Sequence, residues 1–174
     1  MNTAEINRVM NSMQITKYQY IGTFPSDKLP SSEQYPSCFI ANMDRSSQPG
    51  SHWVAIYITK TGKAEYYDTY GRRPPPVFQK YLETNFEIFR INKIQTQSFG
   101  TSVCGQHCIY FLYYRCLGQK MDTIMLSLRK DTVDNDVSIC NWVNSNFNED
   151  TLLIDLDTMQ TASLFQQQID LSFK

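Results

Sequence analysis

The sequence predicts a single domain that contains both helices and strands. Two observations support this: a pair of β-rich runs joined by a tight turn, at residues 52–59 and 64–70, and a long apolar helix at residues 103–118. A length of 174 residues with 41% apolar residues suits one domain with a buried core. We place the domain at residues 1–150 and expect a polar C-terminal arm at 151–174.

In the first half of the chain, helical spacing of three apolar residues predicts a short opening helix over residues 3–11, capped by Thr3. Residues 22–37 contain several prolines and serines and are predicted to be a loop, which ends in the apolar run 38–42. The two β-rich runs then form a hairpin that turns at Thr61 and Gly62.

In the second half, 74-PPP-76 excludes regular structure, residues 77–85 predict a short helix, and residues 86–95 predict a third strand. In residues 103–118 the apolar side chains are distributed around almost the whole circumference of the predicted helix, which is typical of a central buried helix. We expect Thr101 or Ser102 to cap this helix and Gly118 to end it. A further helix is predicted within residues 134–147.

The overall charge argues against a protein that acts through a broad cationic surface. There are 16 Lys and Arg against 17 Asp and Glu, a net charge of −1. The pair 72-RR-73 is a local basic patch, but a solvated turn is its simpler interpretation. The N-terminus lacks the apolar segment of a signal peptide and no stretch is long and apolar enough to span a membrane, so we expect an intracellular protein without membrane contact.

Five cysteines without framework-like spacing predict free thiols and not a disulfide scaffold. Cys104, His107 and Cys108 have a spacing that metal ligands can use. A tetrahedral zinc site needs further ligands, and the remaining His and Cys residues are isolated in the sequence. Zinc is therefore disfavoured, and Cys108, Cys116 and Cys140 are expected to pack as small apolar residues.

Cys104 differs from the other cysteines because it falls in the first turn of the predicted central helix, where the helix dipole favours a thiolate. A nucleophilic cysteine also needs a base, and the chain has two histidines. His107 lies only three residues further along the same helix and should point partly away. His52 is the better candidate.

The hairpin supplies His52 with a partner, because antiparallel pairing brings Asp68 to the same end of the two strands. A carboxylate there can orient the imidazole and stabilise it as the imidazolium partner of a Cys104 thiolate. Peptide hydrolysis also requires donors for the oxyanion, and Gln97, on the connection that leads into the helix, can fold its amide over the site.

Together, 51-SHWVAIYI-58, 65-EYYDTYG-71 and 97-QSFGTSVCGQHC-108 resemble the His-Trp, acid-x-x-Gly and Gln-x6-Cys-Gly signatures of the adenains, the adenovirus-type cysteine proteases. The versions from adenovirus-like or Polinton-type DNA viruses and transposons are most similar. The resemblance covers residues 18 to 118 and follows the order His, Asp, Gln, Cys, in contrast to papain-like enzymes, where Cys comes first.

The resemblance implies an α+β fold, in which helices pack on a mixed sheet as in ubiquitin-like-protein proteases, with the nucleophile at the start of a central helix. It implies Cys104 as nucleophile, His52 as general base and acid, Asp68 as the residue that orients His52, and Gln97 with the Cys104 backbone N–H as oxyanion donors. Trp53 has two open interpretations, a core residue of the strand or a residue that shapes the substrate channel.

The function implied is a viral or transposon-borne maturation endopeptidase that cleaves capsid or core precursors at glycine-containing sites. Alternatives are a protease that removes SUMO or ubiquitin-like proteins, and a catalytically silent module that binds glycine-rich tails. We expect viral precursor polypeptides as partners, a monomer, and a location in the virion and the host cell interior.

The sequence requires no cofactor. Adenoviral members of the family are stimulated by DNA and by a peptide that can be disulfide-bonded to a cysteine upstream of the nucleophile. Residues 83–96 contain no cysteine and the chain is not basic, so the sequence gives little support to either activator.

Overall fold

The computed structural model describes residues 1–31, 34–128 and 131–147. The predicted arm at 151–174 lies outside the described residues. The helices of the described part are α1 Thr3–Ser12, α2 Pro76–Asn85, α3 Cys104–Cys116, α4 Met121–Ser127 and α5 Thr132–Phe147. The strands are β1 Tyr20–Pro25, β2 Ser37–Asn42, β3 Trp53–Ile58, β4 Ala64–Tyr67 and β5 Phe89–Ile91.

The five strands form one mixed sheet in the order β1-β2-β3-β4-β5. The inner pairs β2–β3 and β3–β4 are antiparallel, whereas the outer pairs β1–β2 and β4–β5 are parallel. Parallel neighbours need crossover connections, and α2 lies in the connection from β4 to β5. The predicted α+β class, with helices packed on a mixed sheet, is confirmed.

Both faces of the sheet are buried, which explains why β2 and β4 are buried along their whole length. On one face, Ala55 and Tyr57 of β3 belong to a core with residues of α1, α3, α4 and α5. On the other face, Ile56 and Ile58 belong to a core with Phe78 and Leu82 of α2. Successive side chains of β3 point to opposite faces of the sheet, so alternate residues of this strand pack into the two cores.

The hairpin forms as predicted. Ala55 pairs with Tyr67, and Ile58 pairs with Ala64. At the turn, Gly62 has a φ of +73° and its N–H donates to the Thr59 carbonyl at 2.9 Å. This register places His52, just before β3, beside the residues that directly follow β4.

Several element boundaries differ from the prediction. Residues 20–25 form β1, although most of them were assigned to a loop; an edge strand tolerates the proline at its end. The strand predicted at 86–95 is only Phe89–Ile91, and helix α4 was not predicted.

The predicted helix caps also differ. Asn2, not Thr3, caps α1, in a capping box with Glu5. Helix α3 starts at Cys104 without a side-chain cap, and Val103 occupies the capping position. The Thr101 hydroxyl that was expected to cap α3 lies instead 3.0 Å from the Ser98 carbonyl and 3.0 Å from Asp136 Oδ2. Gly118, just past the helix, has a φ of +87°, which suits the predicted helix end.

Candidate active site

A cleft of about 830 Å³ contains most of the predicted site residues. His52, Trp53, Gln97 and Cys104 all line it, and Asp68 is fully buried behind His52. The cleft is formed where the start of β3, the residues after β4 and the loop before α3 meet. Three chain segments that are far apart in sequence therefore converge on one site.

His52 and Asp68 form a direct hydrogen bond, with Nε2 of His52 2.7 Å from Oδ1 of Asp68. The same carboxylate oxygen accepts the backbone N–H of Tyr70 at 3.0 Å. The other oxygen of Asp68 has no hydrogen-bond partner among the described residues. A buried carboxylate in this setting is stabilised by a protonated imidazole.

Asn92, directly after β5, holds Asp68 in place. Its Oδ1 accepts the Asp68 backbone N–H at 2.8 Å, and its Nδ2 donates to the Asp68 carbonyl at 2.7 Å. Sequence reasoning missed Asn92, because a lone Asn after a short strand is usually a solvated turn residue. Its burial, with 3% exposed, is evident only from the fold.

Cys104 is the first residue of α3 and is 8% exposed. Burial raises the pKa of this thiol, but hydrogen bonds from His52, from the Trp53 backbone N–H and from the Gly105 backbone N–H, with the positive charge of His52, lower the pKa overall. Cys104 therefore ionises more readily than an ordinary thiol.

Burial by itself lowers the pKa of His52, but hydrogen bonds to Asp68 and Cys104 and their negative charges raise it to about 9. Because Nε2 bonds Asp68, Nδ1 is the ring nitrogen left for Cys104. A lowered pKa at Cys104 and a raised pKa at His52 together favour a thiolate–imidazolium pair.

Gln97 lines the cleft but both of its amide protons are engaged. Nε2 donates to the Thr101 carbonyl at 2.8 Å and lies 3.1 Å from the Thr101 hydroxyl, and Oε1 accepts from the Thr69 hydroxyl at 2.7 Å. This pattern sets the orientation of the carboxamide, because a reversed amide would place its oxygen against the Thr101 carbonyl.

Trp53 borders the same end of the cleft. Its indole Nε1 donates to the Met1 carbonyl at 3.1 Å, and its ring lies beside Gly105, where an added Cβ would be 3.5 Å from Trp53 Cδ1. The residue is half-buried and lines the cleft, and its role in shaping a substrate channel stays a prediction.

An aromatic stack, made of His52, Tyr70 and Phe99, stands beside the cleft. The ring centroid of Tyr70 lies 5.1 Å from that of His52, with 28° between the ring planes, and 5.4 Å from that of Phe99, with 8° between the planes. Phe99 is 69% exposed. Sequence reasoning did not single out Tyr70 or Phe99, although the hairpin register, continued beyond the ends of β3 and β4, places Tyr70 opposite His52.

His107 does not line the cleft. It is fully buried, and its Nε2 lies 2.8 Å from Oδ1 of Asp136 on α5. Burial lowers the pKa of His107, although Asp136 opposes this. Among the residues that the structure describes, no group of three His, Cys, Asp or Glu side chains is placed to hold a metal ion.

The five cysteines are free. Cys108 is fully buried, and burial raises its pKa. Within the described ranges, no helix has the length and apolar content needed to cross a membrane.

Comparison with known proteins gives one relative and several structures. No family model matches the sequence. The chain is 28% identical to a protein of Acanthamoeba polyphaga mimivirus that bears the provisional name thiol protease R355, over an alignment of 157 residues. The match covers 72% of this chain and 50% of the mimivirus protein, so the chain spans about half the length of that relative.

Among solved structures, the ASFV pS273R protease has a TM-score of 0.53 and 14% identity over 69% of this chain and 58% of that chain. ChlaDub1 from Chlamydia trachomatis has a TM-score of 0.51 and 16% identity over 86% of this chain and 78% of that chain. At these identities the likeness is one of fold. The chain has the fold of the ubiquitin-like-protease type of cysteine protease.

Proposed function

We propose that this protein is a cysteine endopeptidase with Cys104 as nucleophile, His52 as general base and acid, and Asp68 as the residue that orients His52. The observation that carries the proposal is the 2.7 Å hydrogen bond between Asp68 and His52, with His52 and Cys104 lining one cleft and shifting each other's pKa. The named mimivirus relative supports the same activity.

In the proposed reaction, the Cys104 thiolate attacks the carbonyl carbon of the scissile peptide bond and forms a tetrahedral oxyanion. The His52 imidazolium then gives its proton to the leaving amine, and the C–N bond breaks to leave a thioester on Cys104. Water attacks this thioester while His52 accepts the water proton. Collapse of the second tetrahedral intermediate breaks the C–S bond and releases the carboxylic acid product. Cys104 is left as a thiolate and His52 keeps the proton, so the starting ion pair is restored.

Two donors are proposed for the oxyanion, the backbone N–H of Cys104 and Nε2 of Gln97. The first belongs to the first turn of α3, where backbone N–H groups lack partners within the helix and the dipole also favours negative charge. The second lines the cleft on a fixed loop and exchanges its contact with the Thr101 hydroxyl for the oxyanion.

For the substrate, we propose capsid or core precursors of an adenain-type viral or transposon-borne system, cleaved at glycine-containing sites in the virion or the host cell interior. The support is the sequence signature, the viral relative, and the cleft itself. Trp53 and Tyr70 line the same cleft as Cys104, and large aromatic rings beside the nucleophile would favour substrate residues without side chains.

Cleavage of fluorogenic peptides tests the activity. We expect a Gly-Gly peptide to be cleaved by the wild type and not by Cys104→Ala, whereas Cys140→Ser, outside the cleft, retains activity. An Ala-Ala peptide of otherwise identical sequence tests the glycine preference. If no thiol-dependent cleavage occurs, with or without DNA and candidate activating peptides, the proposed activity is wrong.

Deconjugation of a ubiquitin-like protein would use the same site with a folded substrate. Labelling of Cys104 by a ubiquitin-like vinyl sulfone, together with poor cleavage of short precursor peptides, would favour that activity. A silent binding module would leave Cys104 no more reactive than an ordinary thiol, which the lowered pKa of Cys104 argues against.

A further inference from the structure

Helix α5 contacts the loop that carries Gln97 at three points. Asn135 Nδ2 donates to the Thr96 carbonyl at 3.1 Å, and the hydroxyl of Thr132 lies 3.0 Å from that of Ser98. Asp136 accepts the backbone N–H of Ser98 at 3.1 Å through Oδ2. These contacts hold the loop at Thr96 and Ser98, and none of the three α5 residues lines the cleft.

Asp136 is the centre of this arrangement. Oδ2 also lies 3.0 Å from the Thr101 hydroxyl, and Oδ1 lies 2.8 Å from Nε2 of His107 on α3. The side chain is 9% exposed. A single buried carboxylate thus joins the loop before the nucleophile to the helix that begins with it.

We propose that Asp136 is a positioning residue for oxyanion binding, which fixes the Gln97 loop relative to Cys104 through Ser98, Thr101 and His107. The inference rests on the proposed protease function for its catalytic meaning. Asp136 does not line the cleft, so it acts only through these residues.

The path from Asp136 to the oxyanion site has two steps. The carboxylate holds the Thr101 hydroxyl and the Ser98 N–H, which fixes the backbone of the loop. Thr101 in turn holds the Gln97 carboxamide through its carbonyl oxygen. A shift of Thr101 therefore moves the donor that is proposed to meet the oxyanion, and such donors lose most of their effect when displaced by about 1 Å.

Packing alone does not explain a carboxylate at position 136. In a buried site, an apolar side chain of similar volume usually stabilises the folded protein at least as much. Three hydrogen bonds to two chain segments are what Asp supplies and an apolar residue does not. Asn can supply them too, provided that His107 changes tautomer, because Nδ2 can donate to His107 and Oδ1 can accept from the loop.

The experiment compares Asp136→Leu with Asp136→Asn, and uses Asp134→Leu as control. Asp134 is an exposed acid in the first turn of α5, two residues before Asp136. For Asp136→Leu we expect kcat on the Gly-Gly peptide to fall by about tenfold to a hundredfold, with KM nearly unchanged. This is less than the roughly hundredfold to thousandfold loss when an oxyanion donor is removed outright, because the donor is displaced and not removed. Asp136→Asn should recover several-fold of this loss, and Asp134→Leu should behave as the wild type.

Two further measurements distinguish a positioning role of Asp136 from a general disruption of the active site. A peptide aldehyde forms a tetrahedral adduct with Cys104, so its inhibition constant should weaken in Asp136→Leu by a factor similar to the loss in kcat. Alkylation of Cys104 by iodoacetamide needs the thiolate and no oxyanion donor, so its rate should stay near the wild-type value. If Asp136→Leu does not fold, the same measurements are made on Thr101→Val. This variant keeps the backbone carbonyl of residue 101 and loses the hydroxyl that contacts Asp136.

Unchanged kcat and aldehyde inhibition in a folded variant would overturn the inference. An equal loss of alkylation rate would also overturn it, because the defect would then extend to the thiolate. Hydrogen exchange over residues 96–103 gives a test that needs no activity. Faster exchange in Asp136→Leu than in Asp134→Leu is expected even if the protein cleaves no peptide, and equal exchange would refute the anchoring of the loop.

Discussion

At the scale of single residues, the chain contains two His–Asp pairs of nearly equal hydrogen-bond length, 2.7 Å for His52 and 2.8 Å for His107. Their pKa values nevertheless move in opposite directions. His52 has a second negative partner in Cys104, and its pKa is raised to about 9 despite burial. For fully buried His107, desolvation outweighs the single carboxylate of Asp136 and the pKa is lowered. The two histidines are thus suited to a cationic and a neutral role.

These shifts define a pH profile. As pH rises through the lowered pKa of Cys104, the thiolate forms and kcat/KM should increase; above about 9, His52 loses its proton and kcat/KM should fall. Asp68→Asn removes the charge that helps to raise the pKa of His52, so the alkaline limb should move to lower pH, with a lower maximum. Profiles of the wild type and Asp68→Asn measure this, and coincident alkaline limbs would contradict the assignment of Asp68.

The cysteines should differ in reactivity. The pKa of Cys104 is lowered, whereas burial and the charge of Asp136 raise the pKa of Cys140, which is more exposed than Cys104. Iodoacetamide at pH 7 should therefore label Cys104 first, and peptide mapping by mass spectrometry shows the order. His52→Ala should slow labelling of Cys104 without effect on Cys140. Labelling governed by exposure alone would disprove the thiolate–imidazolium pair.

At the scale of elements, the turn after β4 determines where Asp68 lies. Gly71 has a φ of +63° and its N–H donates to the Asp68 carbonyl at 2.8 Å. A Cβ at this position would lie 2.9 Å from backbone atoms of Lys93 and Ile94. The glycine in the acid-x-x-Gly signature thus has a physical reason, namely positive φ together with a close backbone approach.

Gly71→Ala and Gly118→Ala form a matched pair, because both glycines have positive φ but an added Cβ at Gly118 meets nothing within 4 Å. Gly118→Ala should reduce the free energy of unfolding by about 1 kcal/mol, because alanine is disfavoured at positive φ. Gly71→Ala should cost clearly more and should also lower kcat, since the backbone at Ile94 must move. Urea denaturation with peptide assays measures both, and equal losses of stability would show that the close contact relaxes freely.

The local elements of the site were predictable and the non-local ones were not. The hairpin that joins His52 to Asp68 follows from two β-rich runs and a Gly turn, and the position of Cys104 follows from the start of an apolar helix. Strand β1 was missed because it is defined by its parallel pairing with β2. Asn92 and Asp136 were missed because polar residues in sequence suggest solvent, and only the fold shows that they are buried.

At the scale of the whole molecule, the sheet and the helical layer on its active-site face are joined by a buried ion pair. Nε of Arg115 on α3 lies 2.6 Å from Oε2 of Glu65 on β4, with 9% exposure of each side chain. Arg115 also lies over the ring of Tyr57 at 4.3 Å. This contact tethers the far end of α3, opposite Cys104, to the sheet.

Loss of one partner leaves a buried charge unpaired. Glu65→Leu should therefore reduce the free energy of unfolding by about 3–5 kcal/mol, and the double variant with Arg115→Met should be less destabilised than Glu65→Leu alone. The exposed pair Arg90–Asp122 is the control, with 53% and 72% exposure, and Asp122→Leu should change stability by less than about 1 kcal/mol. Thermal and urea unfolding measure these differences; similar effects at the two pairs would refute the role of burial.

The dependence of the Gln97 loop on α5 also has a consequence for biosynthesis. Asp136 follows His107 by 29 residues in the chain, which is about 1.5–6 s of synthesis at about 5–20 residues per second. A nascent chain can therefore form the hairpin and helix α3 before the residue that anchors the loop exists. Under the proposed function, the oxyanion site is therefore fully assembled only after α5 has been synthesised.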